Sequence, residues 1–204
     1  MALHQDRSTA RQSRAKVTVL PMQASARHAK RFADIMLATT GLLLLSPLII
    51  CVAVAIKLES RGPVFHRETV YGYANQAIRI FKFRLLATCA NCDETRVGRV
   101  LRHAGIDKIP QLLNVLFGEM SIVGPGAFAD RQDLRRSHPT PLQEDFKPGI
   151  TGWTQLMETR EGLMTAEQRT TYDLYYVEHW SLLLDIKIVV MALLSPKIMV
   201  SPDH

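Results

Sequence analysis

Between Ile35 and Ile56 the chain reads IMLATTGLLLLSPLIICVAVAI, without one charged side chain. About 22 residues rising 1.5 Å each match a ~30 Å hydrocarbon layer, and a core helix of a soluble protein is seldom so long or so apolar on every face. The stretch therefore reads as a membrane-inserted helix. Ser46-Pro47 lies in its middle. Proline lacks the amide that would bond a carbonyl one turn earlier, and its ring crowds that turn, which predicts a kink or break. Arg27, Lys30 and Arg31 precede the stretch, and Lys57, Arg61 and Arg67 follow it. A spanning helix concentrates cations on its cytoplasmic side. Cations at both ends favour, over a full span, a helix that enters, turns at Ser46-Pro47 and returns to the same face. A secretory signal fits less well, because the stretch starts late and no small-x-small cleavage site follows before Lys57.

Charge is placed unevenly around this helix. Residues 1–31 hold seven Lys/Arg against one acid, and the whole 204-residue chain carries +6, so the remainder is neutral. A basic tail ahead of an apolar helix suits an anionic cytoplasmic leaflet. Nucleic acid is not expected as a partner, because no reader fold is recognisable downstream. These features divide the chain into a basic, disordered tail (1–29), a re-entrant membrane helix (30–58) and a cytosolic domain with interfacial helices (59–204). The cysteines add little. Cys51 sits within the apolar stretch, and Cys89-x-x-Cys92 has no second pair to complete a zinc site, so reduced thiols are expected.

Downstream, Val64–Glu68 and Ala77–Arg84 read as strands joined by a loop at Gly72-Tyr73-Ala74-Asn75, although the alternation of the second slips once. Asp93–Leu101 reads as a helix interrupted at Gly105, and Pro110–Phe117 as a short apolar helix ended by Gly118. Ser121-Ile122-Val123 leads into a tight turn, and Pro148–Trp153 forms another whose glycines imply positive φ or close backbone approach. Asp130–Arg136 is helix-compatible. Its Arg131, Arg135 and Arg136 read as a solvated face. Thr165-Ala166-Glu167-Gln168 has capping-box form. Leu182–Val200, with a second Ser-Pro at Ser195-Pro196, either lies on a bilayer or packs on the core. The fold class is α+β, mainly helical, with a short β-hairpin.

Candidate chemistry gathers near Asp107. As N-cap of the following helix it would be handicapped, because Pro110 would stand at the third helical position without an N–H. Arg96, Arg99, Arg102, His103 and Lys108 surround it in sequence. A carboxylate amid cations stays ionised, and phosphate oxygens suit the same cations. Arg102 is the natural phosphate anchor, and Lys82 and Arg84 on the second strand are of the same type.

The ordered blocks resemble the bacterial sugar transferases, the monotopic phosphoglycosyl transferases that begin exopolysaccharide and glycan assembly. They are Lys30-Arg31-Phe32-x-Asp34 before the Ser-Pro helix, Gly62-Pro63-Val64-Phe65, Phe81-Lys82-Phe83-Arg84 and Gly98-Arg99-x-Leu101-Arg102. Ile106-Asp107-x-x-Pro110-Gln111-Leu112-x-Asn114-Val115-Leu116 and Gly118-x-Met120-Ser121-Ile122-Val123-Gly124-Pro125 follow. Lys147-Pro148-Gly149-Ile150-Thr151-Gly152-Trp153 and Trp180-Ser181-Leu182-x-x-Asp185-Ile186-Lys187 complete the series. The resemblance implies that Asp107 attacks the sugar-proximal phosphorus of a UDP-sugar, expelling UMP, and passes the phosphosugar to undecaprenyl phosphate. It also implies Mg²⁺, with Asp107 as a ligand, and residence at the cytosolic face of the bacterial inner membrane; phosphate or nucleotide binding is expected of the cations Arg102, Arg99, Lys82, Arg84 and Lys108. Partner proteins of polysaccharide synthesis are a further implication.

This chain departs from the family pattern near the chemistry. Asp107-Lys108 stands where the family has Asp-Glu, Gly124-Pro125-Gly126-Ala127 where it has Gly-Pro-Arg-Pro, and Lys82-Phe83-Arg84-Leu85-Leu86 where it has Lys-Phe-Arg-Thr/Ser-Met. Two readings follow: an active transferase using Asp107, or an impaired relative that binds lipid, nucleotide or an active partner to regulate synthesis.

Overall fold

A computed structural model describes residues 23–72, 76–86, 94–129, 146–162 and 164–194. The tail before Gln23, the Cys89/Cys92 pair, the Asp130–Arg136 segment and Ser195-Pro196 lie outside the described residues.

The apolar stretch belongs to one helix, α1 (Ala24–Glu59), which begins before residue 30. Its most apolar 18 residues have a mean hydropathy of 2.5 and are only 11 % buried, whereas the core helix of a soluble protein would be mostly covered. A single stripe faces the rest of the molecule. Lys30, Asp34, Ala38, Val52 and Ile56 are buried along it, and Gly41 lies between them against Leu112. Phe32, Met36, Leu43, Leu44, Ile50, Val54 and Leu58 point outward. The helical run continues through Ser46-Pro47, so the pair does not break it. Pro47 leaves the Leu43 carbonyl without its usual amide donor, and Ser46 Oγ donates to that carbonyl at 2.8 Å.

The expected hairpin forms from β1 (Phe65–Tyr71) and β2 (Ala77–Phe83), antiparallel with Phe65 opposite Phe83 and Tyr71 opposite Ala77. The slip in alternation is real: Ile78 and Ile80 are buried, and the next buried residue is Phe83. Next come α2 (Arg96–Ala104), a 3₁₀ turn (Ile106–Lys108) and α3 (Gln111–Phe117). Gly105 and Gly118, at φ 65 and 85, end the two helices in the left-handed conformation that glycine adopts without strain. Asn114, fully buried on α3, docks on the edge of β2. Its Oδ1 accepts from Phe81 N at 3.0 Å, and its Nδ2 donates to Arg79 O at 2.7 Å. A side-chain amide thus satisfies one edge of a short sheet.

The sequence did not announce the second sheet. β3 (Ser121–Val123) and β4 (Gly149–Thr151) pair in parallel, Ser121 with Gly149 and Val123 with Thr151. A Cβ on Gly149 would lie 2.2 Å from Gly124 N, and one on Gly152 2.2 Å from Gly124 O. Close backbone approach, rather than positive φ, is what these glycines supply. The chain ends in α4 (Trp153–Glu161), α5 (Ala166–Glu178) and α6 (Leu182–Leu194). The capping box at Thr165 and Gln168 is fully formed.

Four apolar clusters among the described residues hold these pieces. Val123, Phe146, Tyr176, Val177 and Ile188 join β3 to α5 and α6. Ala38, Val70, Ile78, Ile80, Val115 and Met120 join α1 to the hairpin and α3. Val52, Ile56, Phe83 and Leu101 join the end of α1 to β2 and α2. The smallest, Leu156 and Ala192, lies between α4 and α6.

Candidate active site

The third cluster is the floor on which Asp107 stands. Ile106 and Ile109, on either side of the 3₁₀ turn, pack into it. The turn is thereby fixed against the C-terminal half of α1, the end of β2 and α2. Asp107 is 7 % exposed. It is not the N-cap residue of α3, which begins at Gln111 with Pro110 at its N-cap position. A buried carboxylate thus stands just beyond a cationic helix, with Lys108 next to it. Hydrophobic contacts on both sides hold it there, which is how a reactive group is kept in one geometry.

α2 delivers the arginines and is itself tightly located. Thr95 Oγ1 accepts from Gly98 N at 2.8 Å. The Glu59 carboxylate, on the last residue of α1, accepts from Arg96 N at 2.6 Å and Val97 N at 2.9 Å. Acceptors and negative charge at a helix N-terminus are stabilising. A Cβ on Gly98 would sit 2.2 Å from the Leu85 carbonyl oxygen, so only glycine permits this approach. Glu94 reaches both arginines of the next turns, at 3.8 Å from Arg99 Nε and 3.3 Å from Arg102 Nε.

The sequence-predicted phosphate ligands divide into two groups. Arg99, Arg102, Asp107 and Lys108 share the continuous α2–turn segment. Lys82 lies on β2, which packs against that turn, and pairs with Glu68 at 2.7 Å. Arg84 faces elsewhere. Its guanidinium donates to Ser60 O at 3.0 Å, Ser60 Oγ at 2.6 Å and Arg61 O at 2.9 Å, closing the C-terminal end of α1. Sequence reasoning passed over Glu59, which is far in sequence from the amides it caps, and Glu94, which precedes the helix and meets Arg99 and Arg102 at spacings outside the i,i+3 and i,i+4 pattern. It also passed over Asp173, 3 % exposed, which accepts from Thr154 Oγ1 at 2.5 Å. Asp173 Oδ2 is the nearest atom, 3.9 Å, to a Cβ built on Gly126.

The donor set fits a resident divalent metal poorly. Among the described residues no three of His, Cys, Asp and Glu come together as a metal-binding group. Asp107 is followed by an ammonium, and Glu94 is engaged by two guanidinium groups. A cleft of about 420 Å³ opens elsewhere, lined by Ile78, Phe117, Gly118, Phe146, Lys147 and Pro148 among others, and none of the sequence-predicted site residues lines it. Lys147 there sits beside Arg31, and burial together with that positive neighbour lowers its pKa.

The chain matches the model of the family described as bacterial sugar transferase over residues 25–196. It is 41 % identical over 186 residues to a UDP-glucose:undecaprenyl-phosphate glucose-1-phosphate transferase of Escherichia coli K12, covering 83 % of this chain and 40 % of that protein. It is 37 % identical over 179 residues to a UDP-N-acetylgalactosamine-undecaprenyl-phosphate N-acetylgalactosaminephosphotransferase of Aeromonas hydrophila, covering 78 % and 41 %. An exopolysaccharide production protein, PSS, of Rhizobium leguminosarum bv. phaseoli is 35 % identical over 182 residues, covering 78 % of this chain and 90 % of that protein. The chain thus spans well under half the length of the first two and most of the third.

Proposed function

Since the chain belongs to the bacterial sugar transferase family, we propose that it moves a phosphosugar from a UDP-sugar to undecaprenyl phosphate, the first step of exopolysaccharide or glycan assembly. The observation that carries this reading is Asp107: a buried carboxylate fixed on an apolar floor, in one segment with Arg99, Arg102 and Lys108. The activities for which the E. coli and Aeromonas relatives are named supply the substrate class.

In the proposed reaction a carboxylate oxygen of Asp107 attacks the phosphorus next to the sugar. The bond from that phosphorus to the bridging oxygen breaks, and UMP departs with the electron pair. A phosphate oxygen of the lipid acceptor then attacks the same phosphorus, and the Asp107 carboxylate is released unchanged. Splitting one transfer into two gives each substrate its own access to the nucleophile. Arg102 and Arg99 meet the negative charge that accumulates on the phosphates.

The acceptor's lipid tail fixes where this happens. α1 lies in the cytosolic leaflet as a monotopic, re-entrant element with both ends on one side. This is supported by the packing of both Lys30 and Ile56 on the same body, with leucine and isoleucine side chains facing out between them. α6 adds Leu183, Ile186, Val190, Leu193 and Leu194 to the outward apolar surface. An alternative, an impaired member that regulates synthesis through lipid, nucleotide or partner protein, is favoured by Lys108 and by Gly126 opening toward Asp173.

Transfer of label from a panel of UDP-sugars to undecaprenyl phosphate in membrane fractions, with Asp107→Ala alongside, tests the reading. Label in the lipid that vanishes in the variant supports it. No label with any sugar, while a family transferase works beside it, gives the regulatory account precedence. In that case Lys108→Glu combined with Gly126→Arg is expected to raise activity.

A further inference from the structure

Transfer of a phosphoryl group needs positive charge at the donor's phosphates, and either a metal ion or side chains can supply it. Magnesium favours carboxylate and phosphate oxygens. Around Asp107 the balance runs the other way. Lys108 follows it within the 3₁₀ turn, Arg102 and Arg99 precede it on α2, and Glu94, the nearby acid on this segment, already bridges both arginines at 3.3 and 3.8 Å. No metal-binding group of three His, Cys, Asp or Glu exists among the described residues. A divalent ion brought to Asp107 would have one carboxylate to hold it and an ammonium on the adjacent residue to repel it.

We propose that this chain holds no divalent metal ahead of its nucleotide, and that the Lys108 ammonium, with Arg102, receives the donor's diphosphate in its place. The proposal rests on the transferase reading for the identity of the anion. Lys108 is then a substrate-touching residue.

The test needs no turnover. UDP is titrated into the full chain in lipid nanodiscs, in EDTA and in millimolar Mg²⁺, for wild type, Lys108→Gln and Lys108→Glu. Mn²⁺ is titrated separately, without nucleotide. Wild type is expected to bind UDP equally in EDTA and Mg²⁺ and to bind no Mn²⁺. Lys108→Gln is expected to weaken UDP roughly tenfold in either condition, the scale of one charge-assisted hydrogen bond. Lys108→Glu is expected to bind UDP only with Mg²⁺. Matching thermal unfolding of the two variants separates these effects from misfolding.

The proposal is overturned if wild type loses UDP in EDTA and recovers it with Mg²⁺, or if nucleotide-free protein binds Mn²⁺ and Asp107→Asn abolishes that binding. Failure to bind UDP in either condition removes the transferase reading itself. Metal-independent UDP binding without any transfer removes only the turnover.

Discussion

The two ends of α1 are attached to the same body by opposite means. At the N-terminal end the attachment is polar and buried. Lys30 Nζ donates to Asp185 Oδ2 at 2.6 Å, Val123 O at 2.9 Å and the Tyr176 hydroxyl at 3.2 Å. Asp185 also accepts from Tyr176 at 2.7 Å and Trp180 Nε1 at 3.1 Å. Asp34 accepts from Ser121 Oγ and from Ile122 N, and Arg31 donates to the last carbonyls of α3. At the C-terminal end Val52 and Ile56 enter an apolar cluster, and only the helix terminus is polar, where Glu59 caps α2 and Arg84 closes the end. The difference teaches a division of labour. Buried donors and acceptors tolerate a single register, because any slip leaves a charge without a partner. The apolar end lets Asp107 rest on a close-packed floor whose geometry is set by shape.

The largest effect expected from breaking this contrast is at the polar end. Asp185→Ala leaves the Lys30 ammonium buried without its carboxylate and should cost about 3–5 kcal/mol of stability, whereas Lys30→Met with Asp185→Leu should recover much of it. Denaturant unfolding of the three proteins in detergent checks this, and equal losses in the single and double variants would refute it. The apolar end is expected to respond next. Gly98→Ala places a Cβ against the Leu85 carbonyl, so α2 must shift, at about 1–3 kcal/mol for overpacking. The displaced turn should lower phosphosugar transfer about 100-fold, the scale of a 1 Å misplacement at a reacting centre. Unchanged transfer in that variant would separate α2 from the chemistry.

A smaller change sharpens the comparison at the exposed cap. Glu59→Gln removes the charge at the start of α2 and leaves one acceptor oxygen for the two amides of Arg96 and Val97, a loss of about 1–2 kcal/mol whose electrostatic part should shrink as salt is added. The smallest effect concerns pH. Burial raises the pKa of Asp34 above its ordinary value, against the opposing pull of Lys30. The folded state therefore binds the Asp34 proton more tightly than the unfolded chain. That contribution to stability is complete below the unfolded value near 3.8 and is lost as pH rises through the higher folded value. Relative to Asp34→Asn, wild type should gain stability as the pH falls through that window. A difference that is flat or of opposite sign would show that Lys30 dominates.

The legibility of the fold differed by element. The hairpin, the Gly105 and Gly118 helix ends and the capping box at Thr165 were all readable, because each depends on residues within a few positions of one another. The β3–β4 pair was not. Strands of three residues carry no periodicity, and the partner of each lies across the intervening chain. Asp107 was readable as a candidate, and the N-cap alternative weighed beside it falls away, since α3 begins at Gln111 with Pro110 at its N-cap position. Arg84 and Lys82 looked alike on one strand, yet one closes α1 and the other pairs across the hairpin. Strand alternation gives the face a side chain takes, not the partner that waits there.

By itself the sequence determined that one apolar helix dominates the chain, where most helices start and stop, and which family the ordered blocks resemble. Each of these follows from composition or from spacing along the chain. Only tertiary structure decided that both ends of α1 pack on one body, that Gly124, Gly149 and Gly152 touch through their backbones, and that Asp107 rests buried on an apolar floor. These depend on which distant residues meet, and burial and hydrogen bonding select those partners only when the whole chain has closed on itself.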